Sequence, residues 1–293
     1  MLSGSLVALV TPFLENGEVN YEKLEELIEY HLNNQTDGLV ILGTTAEATT
    51  LSLEEQIRIV KLTVSLVKKR VPIIVGAGSN DTAKAMEKAK LFSGLGADYL
   101  LVITPYYNKT NQGGLIHHFE SIAASSSVPI ILYNVPSRTG MSISLHALEI
   151  LSKNKNICGI KEASGNMSYA VSASRFLSKD FVMLSGNDDI IVPMMSIGAT
   201  GVISVLANIC PRETHKLCEL CLKESYQEAS RLQGRLLPVA NALFYETNPI
   251  PVKAAMNHLG FSVGGYRMPL YSMQEEAYQK LIQILDKNKE LLN

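Results

Sequence analysis

No apolar run in the 293 residues reaches the roughly 18–20 residues that a helix needs to cross a bilayer. An integral membrane protein is therefore not expected. An excess of basic charge is also missing: 26 Lys and Arg against 28 Asp and Glu leave a net charge of -2. Nucleic-acid surfaces usually carry a basic excess, so no nucleic-acid partner is expected. The opening segment MLSGSLVALVTPF has no basic n-region and runs directly into a strand-like pattern. It reads as part of the fold rather than as a signal peptide, and a cytoplasmic protein follows. Cysteine is scarce. The four thiols, Cys158, Cys210, Cys218 and Cys221, are expected to be reduced in that compartment. Cys218 and Cys221 have a C-x-x-C spacing, with His215 three residues earlier. Yet ETHKLCELCLKES reads as an amphipathic helix with no second ligand pair near it, so the cysteines are expected on its buried face. No metal and no cofactor is expected.

What the chain has in quantity is apolar material: 46% hydrophobic residues and 18% charged, enough for a large core and too apolar for disorder. It falls into eight short β-rich runs, 5–12, 38–43, 71–76, 99–104, 128–134, 157–161, 181–185 and 201–205. They are nearly continuous in apolar residues, as strands covered on both faces must be. Helical segments fill the gaps: 21–33, 52–69, 80–95, 115–125, 144–152, 168–177, 190–197 and 212–222. The second opens on a Ser52-Leu-Glu-Glu55 capping box. Eight strand–helix pairs fit an α/β fold, the (β/α)8 TIM barrel. An open doubly wound sheet has the same period, but it would normally carry a G-x-G-x-x-G turn after its first strand. Here that strand ends in Thr11-Pro12-Phe13. The barrel is expected over 1–224. A C-terminal helical appendage tied to oligomerisation is expected over 225–293, with helices at 226–244, 250–259 and 273–292.

Barrel active sites lie at the C-terminal ends of the strands. Polar residues gather there: Thr44 and Thr45 after strand 2, Tyr106 and Tyr107 after strand 4, Tyr133 and Arg138 after strand 5, Lys161 after strand 6, and Gly186-Asn187-Asp188-Asp189 after strand 7. Lys161 follows Ile157-Cys-Gly-Ile, a run that belongs to the core. A charged ammonium is costly there, and a neutral lysine amine is a nucleophile that forms Schiff bases. The competing use is a rim pair with Glu162, but alternation points neighbouring side chains to opposite faces. Tyr133 ends the adjacent strand, where its phenol is placed to shuttle protons; packing is the commoner use of such a tyrosine. Arg138 suits a carboxylate through a bidentate contact, though a solvated arginine is commoner. Asp188 and Asp189 precede a helix, where capping is the usual use of Asp.

Six motifs in order carry a family resemblance: Gly43-Thr44-Thr45-x-Glu47, Thr104-Pro-Tyr-Tyr-Asn-Lys109, Tyr133-Asn-Val-Pro-x-Arg138-Thr-Gly140, Lys161-Glu-Ala163, Ser185-Gly-Asn-Asp188 and Glu246-Thr-Asn-Pro-Ile-Pro-x-Lys253. Together they span essentially the whole chain. They resemble the dihydrodipicolinate synthase family of class I, pyruvate-dependent aldolases, a superfamily that includes N-acetylneuraminate lyase. The resemblance implies condensation of pyruvate with L-aspartate-4-semialdehyde in lysine and diaminopimelate synthesis. It makes Lys161 the Schiff-base lysine and Tyr133, Thr44 and Tyr107 a proton relay, with Tyr107 lent by a neighbouring subunit. Thr45 matches a binder of the pyruvate carboxylate, and Arg138 the anchor of the semialdehyde carboxylate. Gly186 and Ile203 match positions that line the pyruvate site through backbone groups. A homo-oligomer, a dimer of dimers, is implied.

Two departures stand out. Ala46 occupies a usual glycine position, so it strains the loop if φ is positive there and narrows the pocket if only space matters. Lysine-responsive relatives carry histidines where this chain has Leu53 and Gln56, and a glutamate where it has Lys84. Weak or absent inhibition by lysine is implied. The rival activities are a sialic acid or keto-deoxy sugar aldolase, disfavoured by Arg138, and a non-catalytic keto-acid-binding barrel, disfavoured by the retained lysine, tyrosines and threonine.

Overall fold

In the computed structural model, which describes residues 2–292, the eight runs form eight parallel strands. They are β1 (Gly4–Ala8), β2 (Gly38–Ile41), β3 (Ile73–Gly76), β4 (Tyr99–Ile103), β5 (Ile130–Asn134), β6 (Ile157–Glu162), β7 (Val182–Ser185) and β8 (Gly201–Ser204). The strands follow chain order around a closed barrel, and β1 pairs with β8 to complete it. The seam is tight: a Cβ on Gly201 would sit 2.1 Å from the Gly4 carbonyl oxygen, so the closing strand needs glycine at that point.

Alternation along each strand makes two cores. Leu6, Ala8, Val40, Ile74, Leu101, Ile131, Leu184 and Ile203 fill the barrel interior. Val7, Leu39, Ile41, Ile73, Val75, Leu100 and Leu132 face outward and pack beneath the helices. Apart from Tyr99, Ile103 and Cys158, which are partly buried, the apolar strand residues are buried on both faces, which explains why the runs lack visible alternation.

The helices start where capping residues put them. Ser52 accepts from the Glu55 N–H, and Glu55 accepts from the Ser52 N–H, so the expected capping box opens the helix Leu53–Val67. Asp81 and Asn111 cap Thr82–Gly94 and Gln112–Ser125, which fixes starts that differ by two or three residues from those read in the sequence. Cys218 and Cys221 lie buried on Pro211–Leu222, as expected, and His215 on the same helix bonds Asp37.

After the barrel come the helices Tyr226–Ala242, Ile250–His258 and Glu275–Lys287. Ile250–His258 reaches the barrel rim. Its Lys253, fully buried, donates to Glu47 Oε1 at 2.9 Å and to the Thr11 carbonyl at 3.0 Å. Among the described residues this is the one ion pair with both side chains out of solvent. No helix is long and apolar enough to cross a membrane.

Candidate active site

Ile160 faces the helices, so alternation turns its successor Lys161 into the barrel. Tyr133 and Lys161 are direct register partners on β5 and β6. The Lys161 Nζ stands 4.4 Å from the centre of the Tyr133 ring, and only 7% of the lysine remains exposed. Glu162, one residue on, takes the other direction. Its carboxylate accepts from Asn134 Nδ2 and the Ser164 N–H, both at 2.7 Å. Burial raises its pKa against those two hydrogen bonds. Lys161 and Glu162 therefore do not pair, as alternation required.

Asp188 is a carboxylate that senses Lys161. It is fully buried, which raises its pKa. Hydrogen bonds from Ser204, Leu206 and Val205, with the Lys161 charge, oppose the rise. Capping of its own helix, the use expected from sequence, is not what this residue does. Its oxygens accept instead from Ser204 Oγ at 2.5 Å and from the Val205 and Leu206 N–H groups at 2.9 Å. It ties the end of β7 to the turn after β8, because that turn leaves backbone donors buried without partners.

Thr45 is buried, and its Oγ1 accepts from Asn248 Nδ2 at 2.9 Å. Arg138, on the short turn of helix Pro136–Thr139, donates from Nη2 to the Asn248 carbonyl at 2.9 Å. Asn248 thus joins the two residues matched to carboxylate binding. It lies in the region that the sequence assigned only to a helical appendage. The signal was present in the Glu246–Lys253 motif, but no periodicity pointed it at the barrel. Thr44, Tyr133 and Arg138 line one cavity of about 510 Å³, with Tyr106, Thr139 and Ile103. Lys161 adjoins its wall through the Tyr133 ring. Ile203 is buried in the interior cluster with Tyr133. Gly186 sits where β7 crosses the end of β6: a Cβ there would lie 2.4 Å from that of Ala163.

Tyr107 is not brought to the other site residues. It is 92% exposed and holds a left-handed backbone, φ 69°. The question raised by Ala46 is answered nearby. Positive φ falls on Leu42 and Glu47, both at 54°, and not on Ala46. The Ala46 side chain is buried, and its carbonyl accepts from Thr11 Oγ1 at 2.7 Å. Alanine costs no backbone strain here and takes up only space. Among the described residues no group of three or more His, Cys, Asp or Glu side chains gathers as metal ligands.

An eight-stranded βα barrel with a buried lysine at the C-terminal end of its sixth strand defines a lyase of the class I aldolase type. The family model for the dihydrodipicolinate synthetase family matches residues 1–288. A 4-hydroxy-tetrahydrodipicolinate synthase of Clostridium tetani is 51% identical over 276 residues, 94% of each chain. The solved dihydrodipicolinate synthase of Aquifex aeolicus superposes with a TM-score of 0.96 at 41% identity, over all of both chains. A chloride-inhibited dihydrodipicolinate synthase of Acinetobacter baumannii, solved with pyruvate, gives 0.96 at 40% identity over 99% of this chain and all of that one. The chain belongs to the dihydrodipicolinate synthetase family. Its reaction is the family's, condensation of pyruvate with L-aspartate-4-semialdehyde in lysine and diaminopimelate biosynthesis.

Proposed function

We propose that Lys161 carries this condensation as an imine of pyruvate, with Tyr133, Thr44 and Tyr107 moving protons. The observation that bears most weight is the direct pairing of Tyr133 with Lys161 inside an otherwise apolar barrel. The neutral amine attacks C2 of pyruvate. Loss of water from the carbinolamine needs a proton delivered to the leaving oxygen, and the Tyr133 phenol is the adjacent donor. Removal of a C3 proton gives an enamine, which attacks the aldehyde carbon of the second substrate. The α-amine of that substrate then displaces Lys161 from C2 and closes the ring, so one water leaves overall.

Thr45 and Arg138 hold the two carboxylates. Asn248 donates to the Thr45 oxygen, which leaves the Thr45 hydroxyl proton free to donate to pyruvate. Gly186 and Ile203 line the pyruvate end. Tyr107 serves the site of a second subunit: a phenol turned into solvent on a left-handed backbone can do nothing for its own Lys161. The working unit is then a homo-oligomer, built as a dimer of dimers. Four free thiols suit the reducing cytoplasm. Residues 1–224 supply the reacting groups, and 225–293 supply the side chains that brace the rim.

Borohydride reduction in the presence of pyruvate tests the imine. One covalent adduct per chain is expected, on the peptide that contains Lys161. An adduct on another lysine, or none, would overturn the mechanism.

A further inference from the structure

The rung above Tyr133 and Lys161 pairs Asn134 with Glu162, and alternation turns both side chains outward, beneath the helices. Asn134 is 1% exposed and Glu162 3%. Asn134 Nδ2 donates to Glu162 Oε2 at 2.7 Å. The amide can only be oriented this way, because Asn134 Oδ1 accepts from the Ile143 N–H at 3.0 Å. Glu162 Oε1 accepts from the Ser164 N–H at 2.7 Å. Burial raises the Glu162 pKa, and no cation offsets it. A buried carboxylate without a cation is costly, and apolar residues would fill the same space without that cost.

What the carboxylate holds is a register. Lower down, β5 and β6 fall out of step. Ile130 faces Ile157, but Ile131 faces Gly159, so Cys158 is an extra residue on β6. Its Sγ donates to the Ile130 carbonyl at 3.5 Å. Above that bulge the strands stay in step as far as the rung of Asn134 and Glu162. If the bulge moved up past Lys161, Tyr133 would face Ile160, and the amine would lose its phenol. Ladder hydrogen bonds are made by the backbone and are blind to which residue carries them. The Asn134–Glu162 bond forms in one register only.

We propose that Asn134 and Glu162 are positioning residues for the reaction: their buried hydrogen bond locks β5 against β6 in the register that sets Tyr133 beside the Lys161 amine. The lock rests on the imine reading given above. If that reading fails, the wild type itself gives no borohydride adduct. If only the lock fails, the wild type gives the adduct and the variants trap pyruvate at its rate.

Exchanging donor and acceptor between the strands tests it. Glu162→Gln sets an amide against the Asn134 amide, and kcat is expected to fall roughly 10–100-fold, the cost of misplacing a reacting group by about 1 Å. Borohydride trapping with pyruvate alone should slow in step. KM for the semialdehyde, which Arg138 anchors, should stay within about twofold. In Asn134→Asp/Glu162→Gln the carboxylate stands on β5 and the amide on β6. Ile143, Ser164 and the bond between the strands are all satisfied again, with the same shape and net charge. This double variant is expected to recover most of the lost kcat. Wild-type kcat in Glu162→Gln overturns the proposal. So does a double variant no more active than Glu162→Gln, because a carboxylate needed at 162 for its own chemistry cannot act from 134. A fall in kcat that only mirrors the folded fraction by circular dichroism overturns it as well.

Discussion

Two lysines of this chain are buried at the same rim, and they have opposite surroundings. Lys253 comes from the C-terminal region and meets Glu47 Oε1, the Thr11 carbonyl and the faces of Phe13 and Tyr266. Burial lowers its pKa, and Glu47 works against that shift. Lys161 comes from β6 and has a phenol ring beside it but no carboxylate at ion-pair distance among the described residues. Burial is common to both, so burial alone does not set them apart. The difference is the counter-ion: Lys253 has the Glu47 carboxylate at 2.9 Å, and Lys161 has no carboxylate partner among the described residues.

The pair at Lys253 also anchors a wider network. Glu47 Oε2 accepts from the Arg267 N–H, and the Arg267 guanidinium grips Glu55 with two hydrogen bonds. Glu47 holds a left-handed backbone at the end of the Thr44–Thr45 loop. Strain of this kind, of order 1–3 kcal/mol, persists only where the surroundings fix it. Lys253 and Arg267 are what fix it here.

The largest expected effect breaks the structural half of the comparison. Lys253→Met leaves the buried Glu47 carboxylate without its counter-ion, with the Arg267 N–H as its remaining donor, which costs about 3–5 kcal/mol. Urea unfolding should show the loss, and a companion Glu47→Gln should recover part of it. A stability unchanged in Lys253→Met would mean that the two lysines differ in nothing that matters to folding.

Next in size is the reactive half. Tyr107→Phe should lower kcat by about 10²-fold or more, the usual contribution of a positioned proton donor, with the fold intact by circular dichroism. Mixed with inactive Lys161→Ala chains under conditions of subunit exchange, it should regain activity, because each mixed pair holds one complete site. Exchange without recovery would place Tyr107 outside the reaction.

The smallest effect is on regulation. Lys84 is exposed where lysine-responsive relatives place a glutamate, and both Gln56 side-chain hydrogen bonds go to the carbonyls of Ala48 and Leu51. Like charges ~4 Å apart repel by roughly 1–4 kcal/mol between bulk water and a protein surface. Added lysine at saturating pyruvate should therefore inhibit weakly or not at all. Half-inhibition at submillimolar lysine would show that another carboxylate has taken the glutamate's place.

The sequence by itself determined the strand–helix alternation, the C-terminal ends of seven strands to within two residues and the position of Lys161; β1 stops at Ala8, four residues short of its run. Those depend on hydrophobic period and local capping, which are written into neighbouring residues. It also settled that Glu162 would turn away from Lys161, because a strand alternates whatever surrounds it. The Asp188 bonds to the turn after β8 were decided only by tertiary structure: its partners lie 16 to 18 residues away, and a local capping rule cannot see them. The same holds for Asn248, which meets Thr45 across 203 residues and Arg138 across 110, and for Lys253, which meets Glu47 across 206. Such contacts exist because the barrel closes and the last helices fold back onto its rim. No periodicity in the chain encodes a distance of that length.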